Sequence, residues 1–329
     1  MTRTPIRWGI LSTAHIAETA LLPALRAAGG EAYVVGGRDH ARTDDYARRN
    51  NVGRAVANYQ SVLDDPDVEA VYIPLPNSLH AEWTVKALTA GKAVLCEKPL
   101  CGSVSQTRMV LAAAEATQRP LWEAFVFPFH KQHARLVELI GDGTIGTVRE
   151  IQSEFHFKIR DRANIRLSPT LAGGALHDVG CYPVRFAQLM FGSTPKSAMC
   201  LAKYAPEGVD EEAQGVLEYE GGQRLLMSCG MARDTGTLSR IIGDLGEIRI
   251  TNPFHARQND TIEIRAGEVR VERLGTSEPT FAEAIRHIHA VLNSVEAPRF
   301  TALDDSLATE VGLDLLGRSA RSGQLEQAS

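Results

Sequence analysis

The segment Ile6-Arg-Trp-Gly-Ile-Leu-Ser-Thr-Ala-His-Ile-Ala17 decides how the chain is read. Its first half, residues 6–11, is a short apolar strand, and its second half leads into a helix expected over residues 16–28. Between them, Ser12, Ala14 and Ala17 occupy the three small-residue positions of the dinucleotide-binding pattern G-x-G-x-x-G/A. Small residues there allow a tight turn and let backbone N–H groups approach a pyrophosphate at a helix N-terminus. Ser12, Thr13, Ala14, His15 and Ile16 are therefore candidate cofactor contacts. Two of the pattern's glycines are absent, so the neighbouring segments have to decide the matter.

Moving outward, strand signals at 31–36, 68–74, 93–96 and 120–125 alternate with helix signals at 41–50, 80–90 and 105–118. Gly91 closes the second of these helices, at a position where a left-handed residue costs least as glycine. Apolar strands alternating with helices predict a doubly wound parallel sheet, a Rossmann α/β domain over residues 1–125, with ligands at the carboxyl ends of its strands. Three strand ends carry further candidates. Gly37-Arg38-Asp39 lies about 20 residues past the fingerprint, where the cofactor ribose is recognised. Arg38 suits a 2′-phosphate, as a solvated loop arginine would also look, and Asp39 would suit a bare ribose. NADP is favoured over NAD. Pro74, Leu75 and Asn77 stand at the end of the strand 68–74; Asn77 is placed to present its amide to the cofactor and to cap the next helix. His80 is a further cofactor candidate, with covering of the sheet edge as its plainer role. Glu97-Lys98-Pro99 puts opposite charges at the end of the fourth strand, as a structural ion pair or as a reacting lysine.

Beyond residue 126 the pattern changes. After a helix at 131–142, strand signals run at 147–159, 196–204, 212–219, 223–230, 239–242, 247–250, 261–265 and 268–273, with helices at 176–191, 280–295 and 306–317. This predicts an α+β domain over 126–329 with a large, mostly antiparallel open-faced sheet. Helices cover one face, the other is left for a partner subunit, and the last helix is placed to pack back on the first domain. Within Leu171-Ala-Gly-Gly-Ala-Leu-His-Asp-Val-Gly-Cys-Tyr-Pro-Val184, Asp178 and Tyr182 stand four apart, on one helix face. Carbonyl reduction needs a proton donor at the new hydroxyl, and alcohol oxidation needs a base. A tyrosine near a lysine ammonium can be both, because the cation favours the phenolate. A buried tyrosine with a satisfied hydroxyl is the plainer alternative. His177 and Cys181 are also four apart, but no further ligands follow in zinc spacing, so no metal is expected.

Composition narrows the classes. The 329 residues carry 44% hydrophobic and 23% charged residues and a net charge of -5, with no basic stripe. Nucleic acid and anionic membrane surfaces are poor partners for such a chain. No apolar run approaches a membrane span, Met1–Arg7 shows no signal-peptide pattern, and five cysteines without a Cys-x-x-Cys pair fit a reduced compartment; a cytoplasmic protein is expected.

The turn 9–17, Glu97-Lys98-Pro99 and Gly173-Gly174-Ala-Leu-x-Asp178-x-Gly180-x-Tyr182 together resemble the Gfo/Idh/MocA oxidoreductases. The resemblance implies an NAD(P)-dependent enzyme acting on CH–OH groups, with Lys98 in the active site and a sheet domain that mediates homodimers or homotetramers. Many members have histidine where Tyr182 stands. Tyrosine, with Asn164-Ile-Arg-Leu167 and Glu123-Ala-Phe125, resembles the branch of NADP-dependent xylose dehydrogenase, dimeric dihydrodiol dehydrogenase and sugar 3-ketoreductases. The chain departs from that branch at Pro128-Phe129-His130-Lys131, where an arginine is missing and a lysine added. His130 and Arg166 are candidate sugar contacts beside Asp178 and Tyr182. The expected reaction is hydride transfer between NADP and a sugar or cyclic polyol, with Tyr182 as acid/base and Lys98 assisting. A ketoreductase of a nucleotide-linked deoxysugar and a catalytically silent NADP-binding regulator are the alternatives.

Overall fold

A computed structural model describes residues 5–328; Met1–Thr4, at the opening of the chain, and Ser329 lie outside the described residues. Two compact units emerge. One runs to Cys101 and adds Ser105–Phe129 and Glu278–Asp304; the other comprises Gly102–Val104, His130–Ser277 and the chain from Asp305.

The first unit is built on six strands: β1 (Arg7–Leu11), β2 (Glu31–Gly36), β3 (Arg54–Val56), β4 (Ala70–Ile73), β5 (Ala93–Cys96) and β6 (Leu121–Glu123). They pair in parallel in the order β3-β2-β1-β4-β5-β6. The order reverses direction at β1, which makes the β1/β4 carboxyl ends the crevice where such sheets take ligands. The strands are short and apolar because helices bury both faces. Close packing explains two glycines: a Cβ on Gly9 would lie 2.4 Å from Val62, and one on Gly36 would lie 2.7 Å from the Asn58 carbonyl. The helix Tyr59–Leu63 and its N-cap Asn58 supply those contacts; like the short strand β3, that helix carries too little periodicity to be read from sequence.

Glu278–Asp304 returns to this unit and completes its core. Its helix Ala282–Leu292 buries Ala284, Ile285 and Ile288 in the cluster that holds Trp8, Leu21 and Tyr72. Polar ends are matched too. The Trp8 indole N–H donates to His289 Nε2 at 3.0 Å, and that of Trp122 donates to the Arg299 carbonyl at 3.1 Å.

The second unit holds a nine-stranded sheet ordered β14-β13-β12-β11-β7-β10-β9-β8-β15. Its strands are β7 (Val148–Lys158), β8 (Pro195–Tyr204), β9 (Asp210–Tyr219), β10 (Arg224–Gly230), β11 (Ala232–Gly243), β12 (Glu247–Ile250), β13 (Thr261–Ala266), β14 (Glu268–Arg273) and β15 (Glu326–Gln327). All neighbours are antiparallel except β7 and β10, which run parallel at the centre. Ile151, Leu225, Met227, Cys229 and Ile241 are buried on the sheet, while Met199, Leu201, Val216 and Leu238 remain exposed. The helix Cys181–Phe191 packs on β7 and β10. No helix among the described residues is long and apolar enough to cross a membrane.

Candidate active site

In the first unit the predicted residues gather at the carboxyl ends of β1, β2, β4 and β5. Ser12 follows β1 with φ 120°, a conformation normally left to glycine. Its N–H donates to the Gly36 carbonyl at 2.8 Å, so neighbouring backbone holds the strained turn. Thr13 and Ala14 are half-buried, His15 and Ile16 are exposed, and Ala17 turns into the core. The helix then opens with a π-helical turn, Ala17–Leu21, before its α-helical part Leu22–Ala27.

At the end of β2, Gly37 is buried and Arg38 is exposed. Asp39 is the N-cap of the helix His40–Asn50, its carboxylate accepting the Arg42 N–H at 3.0 Å. The acidic side chain that would hold a bare ribose is thus committed to the helix, and the cation beside it is not. A Cβ on Gly37 would lie 2.1 Å from the Thr43 hydroxyl, so this loop lies flat on the helix start. An exposed guanidinium over such a loop fits a phosphate-bearing ribose.

Two expectations at the end of β4 need correction. Pro76, not Asn77, occupies the N-cap position, and Asn77 is the first residue of the helix Asn77–Thr89. His80 is fully buried, its Nδ1 2.7 Å from the Pro99 carbonyl and its Nε2 2.8 Å from the Leu75 carbonyl. Both ring nitrogens are engaged by backbone, which leaves neither for a nucleotide. Pro74 and Leu75 are buried at the strand end and Asn77 is half-buried.

The segment after β5 is held from several sides. The Glu97 carboxylate accepts the Tyr72 hydroxyl at 2.5 Å and the Lys98 backbone N–H at 3.3 Å, and the Leu100 N–H donates to buried Glu123 at 2.8 Å. The Lys98–Pro99 peptide bond is cis. Lys98 itself is half-buried.

In the second unit, Arg166, Asp178 and Tyr182 come together. The Arg166 Nε donates to the Asp178 carboxylate at 2.8 Å, and its guanidinium lies 5.8 Å from the Phe157 ring centre. Gly173 and Gly174 make this approach possible. A Cβ on Gly173 would meet the Arg166 carbonyl at 2.3 Å, and Gly174 has φ 118° and donates its N–H to that carbonyl. Asp210 accepts the Leu176 N–H at 2.6 Å and anchors the start of the helix. That start, Leu176–Gly180, is a π-helical turn, so the four-residue spacing of Asp178 and Tyr182 departs from the expected α-helical alignment. Such turns recur at functional sites.

Tyr182 is 8% exposed, with its ring centre 5.1 Å from those of Phe155 and Phe254 and 5.4 Å from that of His255. Sequence reasoning missed His255 and Phe254. They sit in an irregular stretch, Asn252-Pro-Phe-His255, that no periodicity or spacing ties to the tyrosine helix. His130, expected as a sugar contact, is the N-cap of the helix Lys131–Gly141, and its Nδ1 accepts the Gln132 N–H at 3.1 Å. Its remaining nitrogen, Nε2, is buried and unpaired. Cys181 is buried, and His177 lies 3.7 Å from Glu310. Burial opposes a charge on His177, but Glu310 and Asp210 outweigh it and raise its pKa. Among the described residues no group of three or more His, Cys, Asp or Glu is arranged to hold a metal ion.

Residues 6–125 match the family model described as "Oxidoreductase family, NAD-binding Rossmann fold", and residues 133–249 match the GFO/IDH/MocA C-terminal domain. The D-xylose 1-dehydrogenase (NADP(+)) 2 of Haloferax volcanii is 33% identical over 322 residues, covering 96% of this chain and 98% of that one. A dTDP-3,4-didehydro-2,6-dideoxy-alpha-D-glucose 3-reductase of Saccharopolyspora spinosa is 32% identical over 333 residues, covering 99% and 98%. A 3-ketoreductase of Actinomadura kijaniata, solved in complex with NADP and TDP-benzene, superimposes with a TM-score of 0.87 at 29% identity, covering 96% of this chain and 98% of that one. Solved forms of that ketoreductase include a tyrosine-to-phenylalanine mutant and a lysine-to-alanine mutant. The two positions are separated there by as many residues as Lys98 and Tyr182 are here.

Proposed function

The chain belongs to the Gfo/Idh/MocA oxidoreductase family, and from that footing we propose that it transfers a hydride between NADP and a carbon of a sugar or cyclic polyol. The carrying observation is the end of β2: Arg38 is exposed over the Gly37 loop while Asp39 caps a helix. That arrangement favours a 2′-phosphate over a free 2′-hydroxyl. Ser12 to Ile16 would receive the pyrophosphate, and Pro74, Leu75, Asn77 and Glu97 would line the same crevice.

NADP, when bound, supplies or accepts the hydride at its nicotinamide ring. The chain's own groups manage the proton. Tyr182 exchanges the proton of the substrate hydroxyl, and Lys98 favours the phenolate and anchors that hydroxyl. Asp178, steadied by Arg166, accepts hydrogen bonds from neighbouring sugar hydroxyls, and the rings around Tyr182 give the sugar's C–H face an apolar wall. His130, with its unpaired buried Nε2, is a further substrate contact in this reading. The first unit then serves the cofactor, the second the substrate. The exposed apolar residues of the second unit's sheet, Met199, Leu201, Val216 and Leu238, favour self-association as a dimer or tetramer.

Similarity to dTDP-sugar 3-reductases favours a second reading, reduction of a nucleotide-linked keto sugar. A silent NADP-binding regulator is disfavoured by the presence of both Lys98 and Tyr182. One experiment separates the three: pentoses, hexoses, inositols and diols with NADP⁺, and a dTDP-linked keto sugar with NADPH, followed by NADPH absorbance. Turnover in the first set, lost by about 10²–10⁴-fold in Lys98→Ala and Tyr182→Phe with NADPH binding kept, supports the leading reading. Turnover only in the second set transfers the assignment to the ketoreductase, and NADPH binding without turnover transfers it to the regulator.

A further inference from the structure

His80 is fully buried in a helix, with its two ring nitrogens against backbone carbonyls from two different loops. One carbonyl belongs to Leu75, in the loop that leaves β4. The other belongs to Pro99, one residue beyond Lys98. A carbonyl only accepts, so each hydrogen bond needs an N–H on the ring. A neutral imidazole has one such group and an imidazolium has two. Burial outweighs the two carbonyls and, with the nearby Lys98 charge, lowers the ring's pKa, so the neutral ring donates its one N–H to one carbonyl and lies in close contact with the other. A ring used only to fill space would not be placed against two acceptors at 2.7 and 2.8 Å. Tyr72 to Glu97, the Glu97 N–H to the Ile73 carbonyl and Leu100 to Glu123 also hold this segment against its neighbouring strands. The His80 ring reaches from this segment to the loop after β4.

We propose that His80 is a positioning residue: its ring ties the loop at Leu75 to the backbone beside Lys98 and so holds the reacting lysine in register. This rests on the reading of Lys98 given above. With both ring nitrogens facing backbone carbonyls, His80 has neither directed at cofactor or substrate. It acts through the backbone on either side of the crevice, where a displacement of an ångström is enough to lower turnover by a large factor.

The test is a double-mutant cycle on the full-length enzyme, with turnover expressed per NADPH-binding site so that misfolded material is not counted. His80→Leu removes both polar contacts at similar volume, and kcat per site is expected to fall about 10–100-fold while NADPH affinity stays within about threefold. His80→Gln keeps one donor and is expected to recover part of the loss; if the leucine variant does not fold, the glutamine variant carries the test. Added to Lys98→Ala, either change should lower turnover no further, because the lysine it positions is gone. A His80 variant with normal kcat per site and only a lower melting temperature overturns the proposal, as does a full additive loss in the double variant. If Lys98→Ala itself turns over normally, the assignment of the lysine fails and the latch has nothing to position. If Lys98→Ala is inactive while His80→Leu and His80→Gln run at full speed, only the latch fails.

Discussion

In the proposed reading the cofactor preference comes down to one guanidinium, that of Arg38. Gly37 keeps the loop flat because a methyl group there would collide with the Thr43 hydroxyl, and Asp39 is spent on the helix cap. Charge-assisted hydrogen bonds to a phosphate contribute about 1.5–3 kcal/mol. Arg38→Ala should therefore raise KM for NADP roughly 10–100-fold and leave KM for NAD within about threefold. Initial rates with both cofactors check this, and equal effects would count against the assignment. Ser12 shows how far single residues were legible. Its place in the pattern could be read from spacing, but its strained φ could not, because the strain depends on the Gly36 carbonyl that β2 brings alongside. His80 escaped for a similar reason. Its burial follows from the way the loop after β4 and the segment at Pro99 fold around it.

The helix Ala282–Leu292 is the element on which the first unit depends from a distance in sequence. It offers the buried Trp8 indole its acceptor, His289. His289→Leu would strand that N–H inside the core, at a cost of about 1–3 kcal/mol. The melting temperature should fall by roughly 2–10 °C, and by less in His289→Gln, which keeps an acceptor; calorimetry or near-UV circular dichroism reads it. Apolar or alternating strands bounded by turn residues, such as β2, β5 and β12, could be placed from sequence to the residue. Three kinds of feature could not. The brief elements β3, Tyr59–Leu63 and β15 are set by their neighbours rather than by their own pattern. The two π-helical turns look like ordinary helix in a pattern built on 3.6 residues per turn. The parallel pairing of β7 with β10 leaves the same alternation as an antiparallel one. At the candidate site the motif residues were legible, whereas Phe254 and His255 reached Tyr182 only through tertiary packing.

For the molecule as a whole, the exposed side of the nine-stranded sheet and the buried histidines set its behaviour in solution. Leu201, 70% exposed on β8, sits with Met199 and Val216 on the sheet. Leu201→Glu should shift the protein toward monomer in light scattering, with hydride transfer measured alongside; an unchanged mass would argue against this face as the contact. Acid should be destabilising for a separate reason. Burial, and secondarily Arg185, push His133 down to about 4, and burial also lowers His156, His287 and His289. Below about pH 6.5 the unfolded chain takes up protons at these sites and the folded chain does not. Stability is therefore complete above that pH and is lost as the pH falls toward 4, by up to about 1.4 kcal/mol per pH unit for a fully buried group. His177, raised instead, works in the opposite sense. Thermal melts between pH 7.5 and 4.5 should show the decline, and His133→Gln should flatten it.

The return of Glu278–Asp304 to the first unit also bears on how the protein is made. On a ribosome adding roughly 5–20 residues per second, on the order of 10–35 s pass between the emergence of Phe129 and that of Asp304. Throughout that interval the nascent sheet has Trp8, Leu21 and Tyr72 without the helix that covers them. The newborn chain thus carries an uncovered apolar surface until the helix Ala282–Leu292 has been made. A gene fragment ending before Glu278 would keep that surface for good, and its product would be a client for chaperones rather than a separable nucleotide-binding domain.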